Sequence, residues 1–325
     1  MPLDYKPAGI CDFHVHIGEK IGGYELRDDF PDLDRMAELN GIAGIGAFVT
    51  EESHLSLTVK LRKMQEKARL NFKGKVHWHL TPVHTKTDEL FPLLQEGWDL
   101  KFYTTYRESG LYCSYEQIEH WMIELSDIKT RMLVHCEDDQ IITQASAEHP
   151  FRTPQDHTLR RPELAEIVAV EKILNLAIKH THPIHIVHIS SPKAAILVNE
   201  AKKDYPFITC ETAPHYLIYN ENRLSGINAH RWLCTPPFRS EESRGLLVEL
   251  LQDGYFDILA SDHCPFKLED KDRFKDNLEL VPCGIPGLET LYTSMFNNFV
   301  EPGIISQASL DEMTIHKPKT LMSCF

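Results

Sequence analysis

Two histidines stand two residues apart near the start of the chain, in Asp12-Phe13-His14-Val15-His16. That spacing puts His14 and His16 on one face of an extended strand. Further along, His135 (Leu-Val-His-Cys-Glu-Asp) and His188 (His-Ile-Val-His-Ile-Ser) end two apolar runs, and Asp262 (Ile-Leu-Ala-Ser-Asp-His-Cys-Pro-Phe) ends a third. Four imidazoles and a carboxylate brought to one place suit zinc or a similar borderline divalent ion, whose usual ligands are neutral nitrogen and anionic oxygen. Taken singly, each histidine is better explained as a buried ring bonded to backbone carbonyls. The set together points to a metal.

Lys101, in Gly97-Trp98-Asp99-Leu100-Lys101-Phe102-Tyr103, lies in another apolar run between those that carry the histidines. Beside two metal cations an ammonium would be driven to the neutral amine, and a neutral amine can take up carbon dioxide. The resulting carbamate has two oxygens, one for each of two metals held about 3.5 to 4 Å apart. The other reading of Lys101 is a salt-bridged core lysine.

These residues need elements to position them. Eight short runs rich in Ile, Val, Leu and Phe read as buried parallel strands: Ile10–Ile17, Ile42–Val49, Val76–Val83, Trp98–Thr104, Arg131–Cys136, Pro183–Ser190, Pro206–Thr212 and Phe256–Asp262. Between them lie stretches of helical period, such as Leu55–Leu70 and Pro162–His180. Eight alternating units without the glycine fingerprint of a dinucleotide fold predict a closed (β/α)8 TIM-type barrel, whose active site is built at the C-terminal ends of the strands. The charged segment Phe266–Val281 reads as a mobile loop beside that mouth.

Composition narrows the partners. Thirty-four Lys plus Arg against 48 Asp plus Glu give a formal charge of −14, a field that repels nucleic acid and anionic membranes. No apolar run approaches the roughly 20 residues of a membrane span, and the start Met-Pro-Leu-Asp-Tyr-Lys lacks the apolar core of a signal peptide. A cytoplasmic protein is expected. The eight cysteines are scattered without a C-x-x-C pair, which predicts reduced, mostly buried thiols.

The motifs Asp-Phe-His-Val-His, Lys101, His-Cys-Glu-Asp, Ile-Val-His-Ile-Ser, Cys210-Glu-Thr-Ala-Pro-His-Tyr-Leu217, Thr235-Pro-Pro-Phe-Arg239, Ser261-Asp-His-Cys-Pro-Phe266 and Gly284-Ile-Pro-Gly-Leu-Glu-Thr290 occur in one order. Together they strongly resemble the amidohydrolase superfamily. Within it the chain is similar to the cyclic amidohydrolases, which comprise dihydroorotase, dihydropyrimidinase (hydantoinase) and allantoinase, from Ile10 to about Met322. The resemblance implies that His14 and His16 bind a buried metal and that Lys101, N6-carboxylated, and a hydroxide bridge two metals. It implies that His135 and His188 bind the exposed metal. Asp262 would ligate the buried metal and serve as general base, then acid, while the hydroxide opens a ring amide of a small-molecule substrate. A homodimer is compatible with it, and so is a mononuclear deaminase-type member, which would leave Lys101 without a purpose. A catalytically silent scaffold barrel is the rival class; silent relatives usually lose ligands, and none is lost here.

Two departures matter. The chain predicts one barrel domain over 1–325 without the added β-sandwich of some relatives. True dihydroorotases hold the substrate carboxylate with an Arg, an Asn and a His at positions that here read Gly18, about Thr50 and Phe266. Tyr106 instead stands five residues after Lys101, where dihydropyrimidinases carry a Tyr that donates to the developing oxyanion, and Thr235 stands where they have Ser. Tyr106 reads equally as a surface tyrosine, and His215 either orients a loop or faces substrate. With Phe266 as an apolar wall, a neutral cyclic ureide or imide is expected to be preferred over dihydroorotate. The alternative is that Arg107, Arg239 or the Phe266–Val281 loop supplies the missing cation.

Overall fold

A computed structural model describes residues 7–322. The chain start, Met1–Lys6, and Cys324 lie outside the described residues. All eight expected strands form: β1 Ile10–Val15, β2 Ile42–Thr50, β3 Lys75–Thr81, β4 Asp99–Tyr103, β5 Met132–His135, β6 Ile184–Ile186, β7 Ile208–Thr212 and β8 Ile258–Leu259. Each pairs in parallel with the next in chain order. The ring closes where Val15 bridges His263 and the His16 N–H donates to the His263 carbonyl at 2.8 Å. This is the (β/α)8 barrel the alternation predicts. Among the described residues, the one further sheet is a hairpin of Lys20–Ile21 with Tyr24–Glu25.

Strands buried on both faces have no polar side to present, so they read as unbroken apolar runs. Their outward side chains meet the helices in the main core, while Cys11, Phe13, Phe48, Leu133, Val187 and Ile258 fill the barrel interior with Met322. Below these, Arg131 donates to the Asp99 carboxylate at 3.2 Å and to the Leu321 carbonyl at 2.6 Å, tying the last described turn to the barrel floor. The pairing of β1 with β2 slips by one residue between Asp12 and Val15. That bulge interrupts strict alternation, so Phe13 reaches the interior without displacing His14 from it.

Helix starts follow closely on strand ends. Asp138 caps Asp139–Glu148 three residues beyond His135, and Ser191 caps Pro192–Asp204 three residues beyond His188. Each cap satisfies an otherwise orphaned amide and fixes a short loop at the mouth. β6 and β8 are shorter than the apolar runs suggest because His188 (φ 40°) and Asp262 (φ 50°) take left-handed backbone just past them. The segment Phe266–Val281 is folded rather than open: it holds the helix Leu268–Arg273 and a turn at Leu278–Leu280, and its Lys271 is buried. No helix among the described residues is long and apolar enough to cross a membrane. The seven described cysteines are free thiols, all but Cys113 and Cys283 buried.

Gly46 of β2 marks the closest approach inside the barrel. A Cβ there would stand 2.3 Å from the Phe13 carbonyl oxygen and 2.3 Å from His79 Nε2, too close for β1 and β3 to keep their places. Gly46→Ala is expected to destabilise by about 3 kcal/mol through overpacking, seen as a lowered midpoint in urea unfolding; an unchanged midpoint would show that this approach is not tight.

Candidate active site

The mouth is built from strand ends and the loops behind them. His14 and His16 of the first strand end have ring centroids 5.5 Å apart, and both lie on the Phe48 ring, at 4.6 and 4.4 Å. His14 Nε2 is 3.2 Å from Asp262 Oδ1, and ligand atoms of His14, His16 and Asp262 all lie within 4.8 Å of one another. Across the mouth, His135 Nδ1 is 2.9 Å from His188 Nε2, and the His188 and His14 rings are 5.3 Å apart. Lys101 Nζ sits between the groups, 5.2 Å from the Phe48 ring centre and 5.1 Å from that of Tyr103. All six residues expected to bind metal are thus brought together.

Their hydrogen bonds define which lone pairs remain. A carboxylate only accepts, so the Glu211 carboxylate beside His14 Nδ1 makes that nitrogen the N–H and leaves Nε2 a bare acceptor facing Asp262. Likewise Glu137 at 2.7 Å takes the Nε2 proton of His135, so its Nδ1 lone pair faces His188. Two acceptors turned toward each other need a proton or a cation between them. Lys101 Nζ and His188 Nδ1 have no hydrogen-bond partner among the described residues. Buried polar atoms are seldom left so, and this donor set fits divalent cations.

Burial is the first cause of the shifted acidities here. It pushes the Lys101 amine down to about 8 against the pull of Glu211 and Asp262, and His135 down to about 4. It likewise lowers His14 and His188 well below the ordinary imidazole range and raises the Asp262 carboxyl. Unprotonated imidazoles and an amine near neutrality are the forms that bind cations or carbon dioxide. Tyr106 (φ 73°), His188 and Asp262 are three of six non-glycine residues with left-handed backbone among the described residues. Such strain, of order 1–3 kcal/mol each, gathers where side chains must be aimed.

The residues expected to meet substrate divide into two groups. Tyr106 is half-buried, its ring 5.0 Å from that of His135, and Thr235 lies beside its phenol. Cys283, which the motifs did not single out, joins Thr235 there. His215 and Phe266 are both buried among aromatic and apolar neighbours. His215 packs on Tyr216 and Phe238, and Phe266 is buried against Leu26, Cys264 and Tyr24 under the hairpin. Of the candidate cations, Arg107 is exposed and paired with Asp139, while Arg239 is locked to Glu166 at 3.0 Å. Lys271 donates to the Leu233 carbonyl at 3.1 Å, with no carboxylate in ion-pair range among the described residues.

Behind this set stand residues that spacing did not reveal. Arg161 Nη2 is 2.6 Å from Glu137 Oε2, and its guanidinium lies 5.2 Å from the Tyr106 ring centre. Burial raises the Glu137 carboxyl, but Arg161 and His135 outweigh it and hold it well below the usual carboxylate range. Glu211 lies inside an apolar run and Glu137 directly follows one, each within a recognised motif. A carboxylate inside such a run was the available signal.

No family model matches the chain. A dihydroorotase of Shouchella clausii is 31% identical over 320 residues, covering 95% of this chain and 71% of that protein. The chain belongs to the dihydroorotase family of cyclic amidohydrolases. A dihydroorotase of Brevibacillus brevis is 25% identical over 321 residues, covering 96% of this chain and 72% of that one. The barrel also matches a crystal structure of dihydropyrimidinase from Brevibacillus agri with a TM-score of 0.90 at 25% identity, over 98% of this chain and 71% of that one. A D-hydantoinase (dihydropyrimidinase) from Thermus sp., at 0.90 and 19% identity over 98% of this chain and 71% of that one, shares the fold. This member of the family is therefore a hydrolase of cyclic amides in a metal-dependent group.

The Glu137–Arg161 pair supports both His135 and Tyr106. Removing one partner of a buried pair leaves the other charge uncompensated, so Arg161→Met is expected to cost about 3–5 kcal/mol. Adding Glu137→Gln should recover part of that loss in thermal unfolding. Purely additive losses in the double variant would show that the two side chains are not coupled.

Proposed function

We propose that the chain opens a ring amide with two divalent ions, zinc by the chemistry of the donor set, held by His14, His16, carboxylated Lys101, His135, His188 and Asp262. The observation that carries this reading is the orphaned Lys101 Nζ, buried among imidazoles whose lone pairs face inward. Addition of carbon dioxide to the neutral amine forms the N–C bond of a carbamate and releases one proton, turning a neutral group into an anionic one with two oxygens. When bound, the ions acidify the attacking water and polarise the ring carbonyl. Asp262 takes the proton of that water and delivers it to the departing ring nitrogen. The Tyr106 phenol, kept protonated by burial, donates to the developing oxyanion. Thr235 supports Tyr106 and meets the ring.

The ring is read as a neutral cyclic ureide or imide. At Gly18 the backbone is left-handed (φ 63°), and a Cβ would stand 2.7 Å from Asp29 Oδ1. An arginine there is strained, and its Cβ would crowd Asp29, which already pairs with Lys67 and caps a helix. The second reading is a carboxylate-bearing ring such as dihydroorotate, favoured by the named relatives and by Lys271, a buried ammonium without a carboxylate partner among the described residues.

Lys101→Ala is expected to abolish turnover and to regain part of it with short carboxylic acids that replace the carbamate. Asp262→Asn should lower kcat by about 10²- to 10⁴-fold. Full turnover in either variant without additives would remove that residue from the mechanism. For the ring, kcat/KM for dihydrouracil should exceed that for dihydroorotate at equal metal loading. A clear preference for dihydroorotate that disappears in Lys271→Met would replace the neutral-ring reading with the second.

A further inference from the structure

We infer that Glu211 is a positioning residue that sets both halves of the metal centre at once, an inference that rests on the binuclear reading above. Glu211 lies in β7, buried in the barrel wall between the strands that carry the ligands. Its Oε1 meets His14 Nδ1 and also accepts from the His188 backbone N–H at 3.3 Å. Its Oε2 accepts from His185 Nε2 at 3.1 Å, and His185 Nδ1 rests in turn on the Thr209 hydroxyl at 2.8 Å. One carboxylate therefore holds the ring of a ligand from the first strand and the main chain of a ligand from the sixth.

The two contacts do different work. At His14 the acceptor-only carboxylate fixes the proton on Nδ1, so Nε2 presents its lone pair to the mouth. In the tautomer with its proton on Nε2, the ring would present no lone pair to the mouth. At His188 the contact is to the amide of a residue whose left-handed backbone (φ 40°) has no intrinsic preference for that state. Holding that amide aims the ring at His135. His185 and Thr209 leave the carboxylate a single orientation, since each oxygen is already committed. A glutamine cannot replace it: the amide offers one acceptor and one donor, so either His14 or His185 faces an N–H.

The test is metal affinity together with the state of the His14 ring in metal-free protein. Cobalt(II) titration of Glu211→Gln, followed by visible absorption, should give binding about 10- to 100-fold weaker than wild type. Ring ¹⁵N shifts should show His14 losing its fixed Nδ1–H form. Glu211→Asp, still acceptor-only, should keep that form and recover part of the affinity; it also serves if the glutamine variant does not fold. Unchanged affinity with an unchanged His14 ring in either variant would overturn the role of Glu211. If wild type binds no cobalt(II), the binuclear reading fails instead, and the His14 ring shifts alone then decide whether Glu211 sets its tautomer.

Discussion

Taking imidazoles, an amine and a carboxyl out of water in one small volume is the constraint on which this barrel turns. An ionised group moved into such a place costs several kcal/mol unless paired, so the groups surrender charge. Burial leaves the histidines neutral, draws the Lys101 amine toward neutrality and drives Asp262 toward its protonated form. The result is a cage of lone pairs with few protons to satisfy them, and its natural complement is a cation. On the metal reading proposed above, the same desolvation that destabilises an empty cage would favour binding of an ion there.

Such a cage works only if its walls cannot relax. Short capped loops behind β5 and β6, the bulge in β1 and the left-handed backbone at His188 and Asp262 each fix a side chain against its local preference. Charged pairs finish the task from outside. Arg161 holds Glu137, which holds His135; Glu211 holds His14 and the amide of His188. The carboxylates that support ligands keep their charge because their partners outweigh burial, whereas at His14 and His135 burial outweighs the same carboxylates.

Much of this was legible in the chain because apolar runs and the residues that end them are local signals. Eight runs gave eight strands, and His14, His16, Lys101, His135, His188 and Asp262 interrupt or end them at one end of the barrel. The partners were not legible in the same way. Arg161 reaches Glu137 across 24 positions and Glu211 reaches His14 across 197, and no period relates such distances. Phe266 packs against the hairpin after His16, a neighbour whose position no spacing encodes. The loop expected after β8 proved folded for a similar reason: Lys271 anchors it to a carbonyl 38 positions away.

The barrel holds a second group of two histidines and an aspartate, His77, His79 and Asp99, in the layer below the mouth. Comparing the two explains why composition alone does not make a metal site. Asp99 accepts from His77 at 2.8 Å and from the fixed cation of Arg131, and His79 donates to the Phe13 carbonyl at 2.9 Å. Burial raises the Asp99 carboxyl, but Arg131 and His77 outweigh it, so the layer is already neutralised. Arginine cannot shed its proton, and a divalent ion placed there would add uncompensated positive charge to a sealed interior. At the mouth the corresponding cation is Lys101, which can lose its proton and, as a carbamate, reverse its sign. Two groups of the same residue types thus differ in their counter-charge, which is permanent at Asp99 and removable at Lys101.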